Sequence, residues 1–116
     1  MEKQRIIQEL VPGKQITLAH IIANPDEILY KKLGLDPAME YSKSAIGILT
    51  VSPAETAIIA SDIAIKASGA QLGFVDRFSG TVIITGTFSE VDASLRAVTQ
   101  YAEETLGFTV CKITKT

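Results

Sequence analysis

Residues 72–86 read LGFVDRFSGTVIITG, and the reading of the whole chain turns on them. Two runs rich in Val, Ile, Thr and Phe, at 72–75 and 81–85, are joined through Asp76, Arg77, Phe78, Ser79 and Gly80. Such residues favour a pleated backbone and Ser-Gly supplies a turn, so the stretch is predicted to be a β-hairpin. A lone hairpin is marginal in water and needs further strands or a helix on its face. Helical runs at 53–68 and 90–106 flank it and are its natural cover.

Working outward, residues 5–11 alternate without a clean apolar face, a strand that would be marginal in an ordinary core, and Pro12-Gly13 ends it. Residues 14–22 (KQITLAHII) read as a second strand, with Ile16, Leu18 and His20 on one side and Thr17, Ala19 and Ile21 on the other. Asn24-Pro25-Asp26-Glu27 has a capping residue, a first-turn proline and two acids, so a helix is predicted from there to about Leu33, with Gly34 as its stop. Residues 35–43 read as a loop, and 44–51 (SAIGILTV) as a buried strand. Ser52-Pro53-Ala54-Glu55 fits a capping box opening an Ala/Ile helix whose apolar positions cover more than one face. After the hairpin, Ser89-Glu90-Val91-Asp92 is expected to open the last helix. Its apolar stripe is Val91, Leu95, Val98, Ala102 and Leu106, and a final strand follows at 108–114. The order is β-β-α-β-α-β-β-α-β. With the first segment set aside and 14–33 moved to the end, it becomes βαββαβ plus a helix, a circular permutation of the ferredoxin-like arrangement.

The chain's 116 residues are enough for one domain with a real core. It is 47% hydrophobic and 21% charged, which excludes a disordered chain. A mean hydropathy of +0.26 is high for so small a domain and points to apolar surface buried against further copies. Net charge is −2 with no basic block, which argues against nucleic acid. There is no signal-type apolar core and no run long enough to span a membrane, so a cytosolic chain is expected. One cysteine, Cys111, forms neither an internal disulfide nor a thiolate metal cluster. His20 is the sole histidine and lies in a strand, where a hydrogen-bonded structural or interface role outweighs catalysis. No phosphate loop, metal-ligand spacing or paired carboxylates stand out, so no catalytic, cofactor or metal site is assigned. Two charge features remain. Asp76 and Arg77 stand in the hairpin turn, and Asp62 and Lys66 form an i, i+4 pair on the Ala/Ile helix. In both, a solvated surface competes with a contact to a ligand, pore or neighbouring chain.

The stretches RIIQELVPGKQITLAHIIANP (5–25), SAIGILTVSPAETAIIASDIAIKASGA (44–70), LGFVDRFSGTVIITG (72–86) and FTVCKITKT (108–116) together resemble the bacterial microcompartment shell proteins, in the EutS/PduU-type circularly permuted BMC-domain branch. The resemblance implies an α+β fold: a permuted ferredoxin-like (BMC) domain at 14–116, its antiparallel sheet covered by helices, preceded by a barrel strand and turn at 1–13. It implies a structural protein, not an enzyme. Cyclic homohexamers would tile with other shell proteins around an enzyme-filled bacterial microcompartment in the cytoplasm, without a cofactor. Ile6, Ile7, Gln8, Glu9 and Leu10 would join an intersubunit six-stranded β-barrel over the axis. Asp76, Arg77, Phe78, Ser79 and Gly80 match the pore loop, on a pore obstructed by that barrel. Asp62 and Lys66 match the hexamer edge, and Asn24 stands where typical members often carry an edge arginine. Ser44 stands where some members have Gly, which predicts a flat hexamer over a bent one. An encapsulated enzyme or cargo peptide could dock beside the barrel. Ethanolamine, propanediol and choline utilisation are the pathways implied. The competing reading is a ferredoxin-like regulatory domain that binds a small molecule.

Overall fold

The hairpin expected at 72–86 forms the edge of a larger mixed sheet. In the computed structural model, which describes residues 13–34 and 44–116, the elements run β1 (Gln15–Ile22), α1 (Glu27–Lys32), β2 (Ala45–Ser52), α2 (Thr56–Ala67), β3 (Gln71–Asp76), β4 (Thr81–Gly86), α3 (Phe88–Glu104), β5 (Thr109–Val110) and β6 (Thr114–Lys115). The strand predicted at 5–11 and the loop at 35–43 lie outside the described residues. Strand order is β3-β4-β2-β1-β5, with β6 also on β1. Neighbours among β3, β4, β2 and β1 are antiparallel, whereas β5 and β6 run parallel to β1. The expectation of a wholly antiparallel sheet therefore fails at this edge. The single strand predicted at 108–114 is instead two short bridges separated by Cys111, Lys112 and Ile113.

One sheet face carries the main core. Ile16, Ala19 and Ile21 of β1, Leu49 and Val51 of β2 and Val82 and Ile84 of β4 pack under Ala57, Ala60 and Ala64 of α2 and Val91, Leu95, Val98 and Ala102 of α3. Fully burying a large aliphatic side chain such as Ile21, Leu49 or Leu95 contributes about 1.5–3 kcal/mol. Alanines on the inward side of α2 bring its backbone close to the sheet, and Gly47 does the same beneath α3. A Cβ built on Gly47 would lie 2.6 Å from Val91 Cγ1. Ser94 is also fully buried; its hydroxyl donates to Ala64 O at 2.6 Å and meets Ser68 Oγ at 2.8 Å, tying α3 to the end of α2. The opposite face holds a smaller cluster of Tyr30, Ile46 and Ile83 under α1, with the Tyr30 hydroxyl donating to Ser44 O at 2.6 Å. Burial, and secondarily the charge of Glu27, raises the Tyr30 phenol above its ordinary pKa.

Other local expectations are corrected by hydrogen bonding. The faces of β1 do not alternate as predicted, because the register shifts between Ile16 and Leu18. The extra residue of this bulge places Ile16 on the same side as Ala19 and Ile21, and leaves Leu18 on the other. Ser52 belongs to β2, and α2 starts after Glu55 with no side-chain cap, so no capping box forms there. The reciprocal box is at Thr87 and Glu90, two residues ahead of the predicted start of α3. For α1 the cap is Asp26, not Asn24, its carboxylate accepting from Ile28 N.

Candidate functional site

The turn between β3 and β4 is built around Asp76. Its Oδ1 accepts from Phe78 N at 2.9 Å and its Oδ2 from the Ser79 hydroxyl at 2.9 Å. Its carbonyl accepts from Gly80 N at 2.8 Å. Ser79 Oγ also lies 3.2 Å from Thr81 Oγ1. These bonds to the charged form, Phe78 N–H first and the Ser79 hydroxyl next, hold the Asp76 carboxyl below its ordinary pKa. Gly80 has φ +82°, and its carbonyl accepts from Val51 N at 2.9 Å, which pins the turn to the end of β2. Asp76 is thus occupied inside the turn, and the groups presented outward are Arg77 and Phe78. The Arg77 guanidinium lies 4.9 Å from the Phe78 ring centroid, and that ring is 81% exposed. The five residues singled out from sequence form one ordered unit.

The predicted edge residues occupy separate places. Lys66 Nζ meets Asp62 Oδ2 at 2.9 Å on the outer side of α2, both well exposed. An exposed i, i+4 pair of this kind stabilises a helix by about 0.3–0.5 kcal/mol. Exposed Ile58, Ile59 and Ile65 surround it, an apolar surface that the Ala/Ile composition announced without saying which side it would take. Asn24 is exposed in the turn between β1 and α1. The barrel residues Ile6 to Leu10 lie outside the described residues. His20 is bound through both ring nitrogens, Nδ1 to Thr114 Oγ1 at 2.6 Å and Nε2 to Thr116 Oγ1 at 3.0 Å. Sequence reasoning did not foresee those partners, which stand more than 90 residues away. Cys111 is half-buried against the main core. Among the described residues no group of His, Cys, Asp and Glu could hold a metal ion, and no helix is long and apolar enough to cross a membrane.

The BMC domain family model matches residues 45–114, from the start of β2 to the start of β6. The chain is 53% identical over 120 residues to the shell protein PduU of Salmonella typhimurium, covering 100% of both. It is 49% identical to the shell protein EutS of Escherichia coli, covering 99% of both. The chain belongs to the BMC-domain family of bacterial microcompartment shell proteins. A solved flat hexamer of the shell protein CutR superposes on this BMC chain with a TM-score of 0.83 at 48% identity, over 97% of this chain and 99% of that one. These relatives are structural shell proteins and not enzymes. Within this BMC chain the matched span omits β1, which nonetheless lies next to β2 in the sheet.

Proposed function

We propose that this protein is a hexameric tile of a bacterial microcompartment shell in the cytoplasm, laid beside other shell proteins. The observation that carries the proposal is the full-length likeness to CutR in its flat hexamer. The reading of the ring as flat rests on Ser44, where some members have Gly. The domain at 14–116 is read as a circular permutation: β1 precedes the matched span in sequence yet sits beside its first strand, the place of the fourth strand in a βαββαβ sheet.

Within the hexamer, six copies of the Asp76–Gly80 turn surround the axis as a pore loop. Ile6, Ile7, Gln8, Glu9 and Leu10, in a segment at 1–13, form a six-stranded barrel that closes the pore and offers a docking place for a cargo peptide or enclosed enzyme. Asp62, Lys66 and Asn24 form the outer edge that meets the next hexamer. The exposure of the Asp62–Lys66 pair among apolar neighbours supports this edge assignment.

Native mass determination followed by electron microscopy of concentrated protein tests the reading. Six-chain particles that grow into sheets or tubes are expected. Lys66→Ala should keep the six-chain mass and stop sheet growth. A dimer that never assembles would refute the tile, and unimpaired sheets from Lys66→Ala would refute the edge.

A further inference from the structure

We propose that residues 108–116 are an edge guard, clamped by His20, that keeps β1 from pairing with β1 of a second copy. β1 is eight residues long, and one side of it is fully engaged by β2. Its other side exposes backbone groups that would template a further strand if left open. The 108–116 segment takes those groups: Thr109 N donates to Lys14 O, Cys111 N to Ile16 O, Thr116 N to Ile21 O, and Ala23 N donates back to Thr116 O. The guard makes a poor template itself. Its two bridges are two residues each, three residues outside any ladder separate them, and Lys112 and Lys115 are exposed on it. Short edge strands carrying lysines are the usual means of discouraging edge-to-edge association.

Phe108 is buried in the main core, with Val110, Cys111 and Ile113 packed against it, so the start of the segment is held by packing; from Thr114 onward polar and charged side chains supply the attachment. Thr114 Oγ1 lies 2.6 Å from His20 Nδ1 and 3.4 Å from Ala19 O. The other ring nitrogen, Nε2, lies 3.0 Å from Thr116 Oγ1, so one imidazole ties both threonines to β1. Lys115, pointing to the other side, places Nζ 5.4 Å from the Phe88 ring centroid at the start of α3. Three successive residues are therefore fixed, two to β1 and one to α3. The occupant excluded is a second copy because an open β1 edge is complementary to itself. Two β1 edges related by a two-fold axis would pair antiparallel, a self-complementary contact that needs no other protein.

The test uses the full chain carrying Thr114→Val with Thr116→Val, which removes both hydroxyls and preserves shape, and separately His20→Ala. Hydrogen exchange at the Ala23 and Thr116 amides should quicken about tenfold in both, the effect of losing roughly one to two net hydrogen bonds. Amides of β2 and β4 should be unchanged, which establishes that the fold is intact. Light scattering should then show concentration-dependent species absent from the wild type, and a synthetic peptide of residues 108–116 should dissolve them. Unchanged exchange at Ala23 and Thr116 would overturn the clamp. A freed segment with wild-type association, or new species indifferent to the peptide, would overturn the guard. The exchange readout does not depend on sheet growth, and the scattering comparison is made in a Lys66→Ala background where sheets are suppressed, so failure of the clamp and failure of the tile are distinguishable.

Discussion

Replacing Gly80 with alanine should destabilise the chain far more than the same change at Gly34, though both glycines have positive φ, +82° and +71°. Holding any residue with a Cβ in the left-handed region costs about 1–2 kcal/mol, and that is the whole penalty at Gly34, where a Cβ meets nothing within 4 Å. At Gly80 an added Cβ would overlap the carbonyl oxygen of Val51 and lie 3.3 Å from Ala54 Cα, both backbone atoms with little room to yield. The turn would have to move away, releasing the bond from Val51 N to Gly80 O and one of the Asp76 bonds beside it, worth about 1 kcal/mol net each. The total is about 3 kcal/mol, roughly 2 kcal/mol beyond the Gly34 control. With a urea slope of about 1–3 kcal/mol per molar, the two variants should differ by roughly 1 M in midpoint. Association couples stability to concentration, so unfolding is compared at one protomer concentration. Midpoints agreeing within about 0.3 M would refute the claim that the turn is locked against β2.

Two further outcomes follow from particular contacts. Gly47→Ala should cost about 1–3 kcal/mol by overpacking, because the new Cβ would lie 2.6 Å from Val91 Cγ1 and 2.9 Å from Ile84 Cγ1. Combining it with Val91→Ala should recover about 1 kcal/mol or more in a double-mutant cycle, and strict additivity would show that the two sites do not compete for the same space. The order of the 76–80 turn should depend on pH in the acid range. Folding depresses the Asp76 pKa, so the stabilisation is complete above the ordinary carboxylate value of about 4 and is lost as pH falls through the lower folded value. The Phe78 amide resonance followed from pH 7 to pH 2 should report a midpoint below the ordinary value, and a midpoint at or above it would contradict the bonding described.

What the sequence disclosed depended on how local the governing interaction is. The α3 stripe of Val91, Leu95, Val98 and Ala102 was legible because one helix face alone decides it. The hairpin was legible for the same reason, its turn chemistry lying within five residues. The bulge in β1 was not, because strict alternation was the simplest pattern for KQITLAHII and only pairing with β2 reveals the extra residue. Ser52 could equally cap a helix or end a strand, and the ladder with Gln15 decided for the strand. The pore-loop identity came from family resemblance; the residues alone left Asp62 and Lys66 between a solvated pair and a contact across a subunit edge. His20 is hydrogen-bonded as expected of a strand histidine, yet its partners Thr114 and Thr116 are contacts that no window of sequence contains.

Among the described residues the two faces of the sheet are covered unequally, by α2 and α3 on one side and by the six-residue α1 on the other. A ring built by rotation alone keeps that inequality, so the layer has no mirror plane parallel to its surface. Such a layer responds like a strip of two bonded metals. A change in volume or hydration confined to one coating is relieved by bending, not by stretching. Substitutions on the outer surface of α1 would therefore tune curvature, and its direction would reverse if the tile were laid the other way up.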